Sequence, residues 1–101
     1  MNKSEIKSQI YQAVEANPLK EEIKKISLFG SYVNGVPRQD SDIDLLIEFY
    51  PTAKIGFFAL LDIKEDFENS VGKSIDLLTP EAISKYFRQE ILDQAEVVYE
   101  R

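Results

Sequence analysis

The sequence predicts an α+β fold in which a small β-sheet is flanked by helices. Segments whose apolar residues recur at helical spacing alternate with short, apolar runs that are typical of strands. Because the strand-like runs are few, this pattern favours α+β over a doubly wound parallel sheet. With 101 residues, of which 44% are hydrophobic, we expect one domain built around one core, spanning residues 1–101.

The first predicted element is an amphipathic helix. Apolar residues recur at helical spacing from Ile6 to Val14, and we expect the helix to end near Ala16. The pair Asn17-Pro18 stops it, because the residue before a proline avoids the α region. The segment has no apolar stretch of the kind found in signal peptides, so we do not interpret it as one.

Two strands and a turn-rich segment follow the first helix. The apolar residues Ile26, Leu28 and Phe29 predict a strand that ends at Gly30-Ser31. Residues 31–42 are rich in short polar residues, glycine and proline, and predict turns. The apolar, β-compatible run 43–49 predicts the second strand.

A second long helix is predicted over residues 55–71, with Gly72 as its C-terminal cap. Its apolar stripe is wide. We interpret Phe57, Phe58 and Phe67 as the core-facing side of this helix, and not as a platform for stacking bases.

The last third of the chain predicts one more strand, a helical stretch and a short final strand. Residues 74–78 form the strand-like run. Thr79-Pro80 predicts the start of a helix, with threonine as N-cap and proline in the first turn. Helical spacing continues through Leu92, and residues 97–99 predict a closing strand.

The absence of cysteine and histidine restricts the chemistry. Disulfides, thiol catalysis, Ser-His-Asp hydrolysis and the usual zinc sites are all excluded. A metal site would therefore use oxygen ligands, which favours magnesium, manganese or calcium.

The charge and hydropathy of the chain restrict the kinds of partner and the cellular location that we expect. A formal net charge of −6 and a pI of about 4.6 argue against a broad basic surface for duplex nucleic acid. An acidic protein that handles a polyphosphate would need metal ions to neutralise it. We find no apolar run long enough to span a membrane. Because the sequence has no cysteine and shows no export signal, we expect a cytoplasmic protein.

Three aspartates carry the main functional signal. Asp42 and Asp44 begin an apolar strand and project to the same side, about 7 Å apart, because side chains alternate along a strand. Asp76 lies in another strand-like run, and it would complete an acidic cluster if the two strands were neighbours. Such a cluster repels itself, and a pair of magnesium ions would relieve the repulsion and promote phosphoryl displacement.

Gly30-Ser31 supplies a second signal. Glycine allows close backbone approach, and adjacent amides at a strand-to-helix turn can cradle phosphate oxygens, with the Ser31 hydroxyl as one more donor. The turn is a weak signal alone. It gains weight from the Asp-x-Asp strand and the later strand aspartate that follow it.

Simpler interpretations of the aspartates and the glycine turn are less consistent with the sequence. Most Asp-x-Asp pairs are solvated turns or caps, but here the pair begins a strongly apolar strand. The series from Asp40 to Asp44 resembles the start of a calcium loop, which then requires a glycine and a glutamate where Leu45 and Pro51 stand. A P-loop is excluded because no Gly-Lys-Ser/Thr follows the glycine.

Taken together, these motifs resemble the nucleotidyltransferase superfamily of DNA polymerase β, and most closely its minimal nucleotidyltransferase (MNT) branch. The resemblance runs from residue 26 to about residue 99. It implies the polymerase β-like fold, with a small mixed sheet flanked by helices. It also implies nucleotide binding by Gly30 and Ser31, and binding of two Mg²⁺ ions, with Mn²⁺ as an alternative, by Asp42, Asp44 and Asp76.

This chain departs from the family pattern just after the glycine-serine pair. Many members carry arginines there, whereas this chain has Tyr32 and Asn34. Arg38 is the candidate that would supply positive charge to the nucleotide instead. Tyr32 either stacks on a nucleobase or packs the turn.

The resemblance also implies a function and a partner. MNT proteins are often antitoxins paired with a HEPN-domain ribonuclease toxin, and some modify a tyrosine of the toxin with AMP. We therefore expect AMP transfer from ATP to a hydroxyl acceptor, catalysed by Asp42, Asp44 and Asp76, in a hetero-oligomer with the toxin. The alternative is an antitoxin that neutralises its toxin by contact alone. Transfer to a small molecule such as an aminoglycoside, or to RNA, is a third hypothesis.

Overall fold

The structure is a computed structural model that describes residues 1–35 and 41–101. The described residues contain four α-helices, four strands and two short 3₁₀ turns, an α+β arrangement as predicted. The helices are α1 (Lys3–Ala16), α2 (Ser31–Asn34), α3 (Phe57–Val71) and α4 (Lys85–Gln94). The strands are β1 (Ile23–Phe29), β2 (Ile43–Phe49), β3 (Ile75–Leu78) and β4 (Glu96–Glu100).

The four strands form one mixed sheet in the order β3-β2-β1-β4. β1 is antiparallel to both β2 and β4, whereas β2 and β3 are parallel. Parallel neighbours require a crossover connection, and α3 provides it. This crossover brings residues far apart in sequence to the same end of the sheet.

Helix boundaries follow local chemistry. The Asn2 side chain accepts a hydrogen bond from the Glu5 backbone N–H at 2.8 Å and so caps α1. At the other end, Asn17 leaves the helical conformation as predicted. Gly72 ends α3 with φ of 77°, in the left-handed conformation expected of a C-terminal glycine.

The core lies between one face of the sheet and the helices α1 and α3. Alternate residues of β2 face it, as predicted: Ile43, Leu45 and Ile47 are fully buried. The opposite face of the sheet is also covered in part, since Ser27 and its strand partner Leu46 are buried. Within the described ranges, no helix combines the length and apolar character that crossing a membrane would need.

The prediction that Phe57 and Phe58 belong to the core is wrong. Their side chains are 69% and 80% exposed, whereas Phe67 is fully buried as predicted. The buried face of α3 is formed by Ile63, Phe67 and Val71. At about 100° per residue, Phe58 lies on roughly the opposite side of the helix from this face, and Phe57 lies in the first turn at its edge.

The predicted helix start at Thr79-Pro80 is observed, but the helix continues for only one turn. Pro80–Ala82 form a single 3₁₀ turn, and α4 begins later, with Ser84 as its N-cap. Between them, Ile83 is extended and buried, which a continuous helix would not allow. The Arg88 side chain donates to the carbonyl oxygens of Pro80 and Ile83 at 2.8 and 3.0 Å, and so stabilises the break.

Candidate active site

Asp44 and Asp76 face each other across two parallel strands. They are register partners in the β2–β3 pairing, with Ile43 opposite Ile75 and Leu45 opposite Leu77 on the core side. Neighbouring strands lie about 4.8 Å apart, and paired residues of a parallel sheet project to the same face. The two carboxyl groups therefore meet, although the two residues lie far apart in sequence.

Asp42 lies immediately before β2 and is exposed. It precedes Asp44 by two residues, so strand alternation turns it to the same side. Its charge contributes to the electrostatic environment of Asp44. The structure thus places all three predicted aspartates at one end of the sheet.

Asp44 is the half-buried member of the cluster, and its pKa is raised from 3.8 to about 6. The largest cause is burial, which disfavours the charged carboxylate. The negative charge of Asp76, a hydrogen bond between the two carboxyl groups and the charge of Asp42 add to the shift. Without a cation, the Asp44 carboxyl group therefore keeps its proton to a higher pH than an ordinary aspartate does.

The donor set fits a divalent cation by its chemistry. Carboxylate oxygens are the ligands that Mg²⁺ and Mn²⁺ prefer. Burial is the main cause of the raised pKa of Asp44, and a cation would offset both this burial of charge and the repulsion from Asp76 and Asp42. In the side-chain positions of the described residues, no group of three acidic residues is already arranged to ligate a metal. The fit to a cation therefore rests on the chemistry of these side chains, and not on a ligand geometry that is already formed.

Gly30 and Ser31 lie at the end of β1, beside this cluster. Phe29 is the β1 partner of Asp44, so the turn begins next to the Asp44 side chain. Gly30 has φ of 76°, which favours glycine, and Ser31 starts the short helix α2. The Gly30-Ser31 turn, predicted to bind the nucleotide, therefore lies beside the paired aspartates.

The two remaining candidates have different outcomes. Tyr32 is 7% exposed and belongs to the hydrophobic core, so it packs the turn and does not stack on a nucleobase. Arg38, the predicted nucleotide-binding residue, lies outside the described residues.

Sequence reasoning missed the residues that hold the start of β3 in place. The Glu68 carboxylate of α3 accepts a hydrogen bond from the Ile75 backbone N–H at 2.9 Å, and the Ser74 carbonyl accepts one from the Ile43 backbone N–H at 3.0 Å. Both contacts determine where Asp76 lies relative to β2. Neither has a local sequence signal, because each joins separate elements.

The raised pKa predicts that Asp44→Asn stabilises the fold by about 1 kcal/mol at pH 7 when divalent cations are removed. The folded state favours the neutral carboxyl, so ionisation of Asp44 destabilises it. This penalty is absent below the unfolded pKa of about 3.9, grows with pH and is complete above about 6. A two-unit shift would be worth more if the carboxyl were fully buried, but solvent screens it.

The measurement is the melting temperature of wild type and variant in chelator at pH 4 and pH 7. We expect the variant to melt higher at pH 7 and at a similar temperature to wild type at pH 4. Equal melting temperatures at pH 7 would contradict the predicted cost of ionising the partly buried Asp44 carboxyl group.

Comparison with known proteins places this geometry in a family. The family model described as "Polymerase beta, Nucleotidyltransferase" matches residues 9–101. The chain belongs to the polymerase β nucleotidyltransferase family.

Relatives of this nucleotidyltransferase are named as protein adenylyltransferases. MJ0435 of Methanocaldococcus jannaschii, which is classed with them, is 35% identical over 95 residues, covering 94% of this chain and 96% of MJ0435. The protein adenylyltransferase MntA of Thermococcus cleftensis is 31% identical over 77 residues, covering 76% of this chain and 74% of MntA.

Solved structures share the fold of this nucleotidyltransferase. A toxin–antitoxin structure with AMP-PNP has a TM-score of 0.75 at 20% identity, covering 94% of this chain and 73% of that one. A structure described as a minimal nucleotidyltransferase has a TM-score of 0.75 at 23% identity, with 94% of both chains covered. The predicted polymerase β-like fold with a small mixed sheet is confirmed.

Proposed function

We propose that this nucleotidyltransferase transfers AMP from ATP to a tyrosine hydroxyl of a cognate HEPN toxin and thereby acts as its antitoxin. The observation that carries the proposal is the in-register pairing of Asp44 with Asp76, next to the Gly30-Ser31 turn. Two separate strands bring carboxylates to one point beside amides that suit a phosphate. This is the arrangement that metal-dependent phosphoryl transfer requires.

Each residue has a proposed role. The amides at Gly30 and Ser31, with the Ser31 hydroxyl, hold the triphosphate. Asp42 and Asp44 would hold two Mg²⁺ ions, and Asp76 one of them. When bound, these ions neutralise the negative charge that develops on the phosphate oxygens.

Asp76 is also the proposed proton acceptor. The acceptor oxygen attacks the α-phosphorus of ATP, the bond from that phosphorus to the bridging oxygen breaks, and pyrophosphate leaves. The hydroxyl proton moves to the Asp76 carboxylate, which is exposed at the sheet edge and open to an incoming side chain. This assignment gives base catalysis a residue in a chain without histidine.

The donor and acceptor are proposed from the relatives. Curated relatives are protein adenylyltransferases by name, one similar structure was solved with AMP-PNP, and another holds a tri-AMPylated HEPN toxin of Shewanella oneidensis with its MNT antitoxin. That last structure has a TM-score of 0.67 at 17% identity, over 97% of this chain and 72% of that one. These findings support ATP and a HEPN toxin as partners.

Incubation of the chain with labelled ATP, Mg²⁺ and the cognate toxin tests the proposal. We expect label on the toxin, lost when its acceptor tyrosine is changed to phenylalanine. Transfer should stop in chelator and return with added Mg²⁺. An unlabelled toxin, in a mixture where both proteins are folded and bind each other, would overturn the proposed activity.

Neutralisation by contact alone is the second candidate. Its supporting observation is the exposure of large apolar side chains, which favours a protein partner. These side chains are Phe57, Phe58 and Leu61 on α3 and Tyr86 and Phe87 on α4.

The double variant Asp42→Asn/Asp44→Asn separates the two candidates. If AMP transfer neutralises the toxin, cells that express the toxin with this variant should not grow. Full protection by the variant would instead show that contact is sufficient.

A further inference from the structure

The Asp44 carboxyl group occupies the space in which a side chain of residue 30 would begin. A β-carbon built on Gly30 would overlap the Asp44 Oδ2 atom and would lie 2.9 Å from Cγ and 3.1 Å from Cβ. Real β-carbons essentially never come within 3.0 Å of such an atom, as this one would with Oδ2 and Cγ. The obstacle is a short side chain that is itself half-buried. Gly30 is therefore necessary for the observed position of Asp44.

The other three glycines of the chain show that this contact is specific. Gly72 has nearly the same φ, 77°, yet a β-carbon added there would meet nothing within 4 Å, and the same is true of Gly56. At Gly35 the nearest atom to such a β-carbon is the Ser31 carbonyl oxygen, at an ordinary 3.4 Å. Only at Gly30 does a carboxyl group of the site fill the space.

Strand pairing explains how the contact arises. Phe29 pairs with Asp44, so the next residue, Gly30, lies beside the Asp44 side chain at the point where the chain leaves the sheet. With φ of 76° and ψ of −146°, Gly30 is in a region that is almost restricted to glycine. The backbone of Gly30 then passes close to the Asp44 carboxyl group before α2 begins at Ser31.

We propose that Gly30 is a positioning residue for the cation site, because its missing side chain allows Asp44 to stand beside Asp76. This inference rests on the proposed function, and it extends the role of Gly30 beyond the triphosphate. If Gly30 only gave the triphosphate room to approach the backbone, its replacement would weaken ATP binding alone. If Gly30 also positions Asp44, its replacement would weaken cation binding even in the absence of nucleotide.

Titration with Mn²⁺ alone, followed by electron paramagnetic resonance of the free ion, tests this role. We expect Gly30→Ala to weaken Mn²⁺ binding by about tenfold or more, the loss typical when support of a ligand is removed. Gly35→Ala and Gly72→Ala are matched controls that leave Asp44 untouched, and they should bind Mn²⁺ as wild type does. Wild-type affinity in Gly30→Ala would overturn the inference while leaving the proposed function intact.

Melting temperatures without cations test the contact itself. Gly30→Ala should lower Tm much more in the wild-type background than in an Asp44→Ala background, because the second change removes Oδ2 and Cγ. If Gly30→Ala alone does not fold, the double variant should recover folding. An equal fall in both backgrounds, or a double variant that is no better folded, would overturn the contact as the reason for glycine.

Failure of the wild-type protein to bind Mn²⁺ is a separate outcome of the titration. It would overturn the proposed function and the cation role of Gly30 together. The pair of Tm differences would still decide whether Gly30 positions Asp44.

Discussion

Asp44→Asn is expected to slow AMP transfer to the toxin by about 1,000-fold or more. Asparagine keeps the shape of the side chain but removes the negative charge from the residue that contacts Asp76 and Gly30. Charge stabilisation by a bound metal is worth several kcal/mol in the transition state, and each 1.4 kcal/mol corresponds to about a tenfold change in rate. Initial rates at saturating labelled ATP and Mg²⁺ measure the effect.

The variant Asp62→Asn is the matched control. Asp62 is an exposed aspartate of α3, away from the β2–β3 pair, and its replacement removes the same charge from the molecule. We expect its rate to stay within about twofold of wild type, since surface substitutions of this kind change little. A rate for Asp44→Asn within about tenfold of wild type would contradict its assignment to the site.

Unfolding does not explain the expected loss. Asp44→Asn is predicted to be at least as stable as wild type without cations, because it removes a carboxylate whose ionisation the fold disfavours. A slow and well-folded variant would therefore locate the defect in catalysis. Such a result would also show that the negative charge of Asp44 lowers the stability of the fold but is needed for catalysis.

Phe67→Ala is expected to lower the free energy of unfolding by about 3–5 kcal/mol. Phe67 is a fully buried member of the hydrophobic core, and alanine in its place would leave a cavity that the close-packed core closes only in part. The total free energy of unfolding of a small domain is only about 5–15 kcal/mol, so this change removes a large share of the stability. Urea denaturation followed by circular dichroism measures the difference.

Phe58→Ala tests whether burial, and not residue type, is responsible. Phe58 is on the same helix but 80% exposed, so its loss should change the free energy of unfolding by less than about 0.5 kcal/mol. A comparable loss of stability in both variants would contradict the assignment of Phe67 to the buried face of α3 and of Phe58 to the exposed one. Since Phe58 is exposed, the same variant can be assayed for toxin binding without a stability defect.

The elements whose signal is local can be predicted from sequence. The apolar run predicts strand β2 over its observed residues, and the ends of α1 and α3 follow from Asn17 and Gly72. Apolar spacing and capping chemistry act within a few residues, so no tertiary information is needed.

Predictions that depend on which side of an element faces the core are less secure. The apolar stripe of α3 is wider than its buried face, and sequence cannot show that Phe58 lies outside that face. Likewise, Thr79-Pro80 satisfies the rules for a helix start, but burial of the extended Ile83 delays α4 to Lys85. In both cases the packing of neighbouring elements overrides a local preference.

The chain by itself determined which metal ligands are available and placed two of the three aspartates of the cluster on one side of a strand. Without histidine or cysteine, only oxygen ligands remain for a metal, and strand alternation turns Asp42 and Asp44 to one side. Tertiary structure decided the position of the third aspartate and of Gly30. Only the parallel pairing of β2 with β3 brings Asp76 to Asp44, and only the exit of β1 puts Gly30 against that carboxyl group, because both contacts depend on long-range strand register.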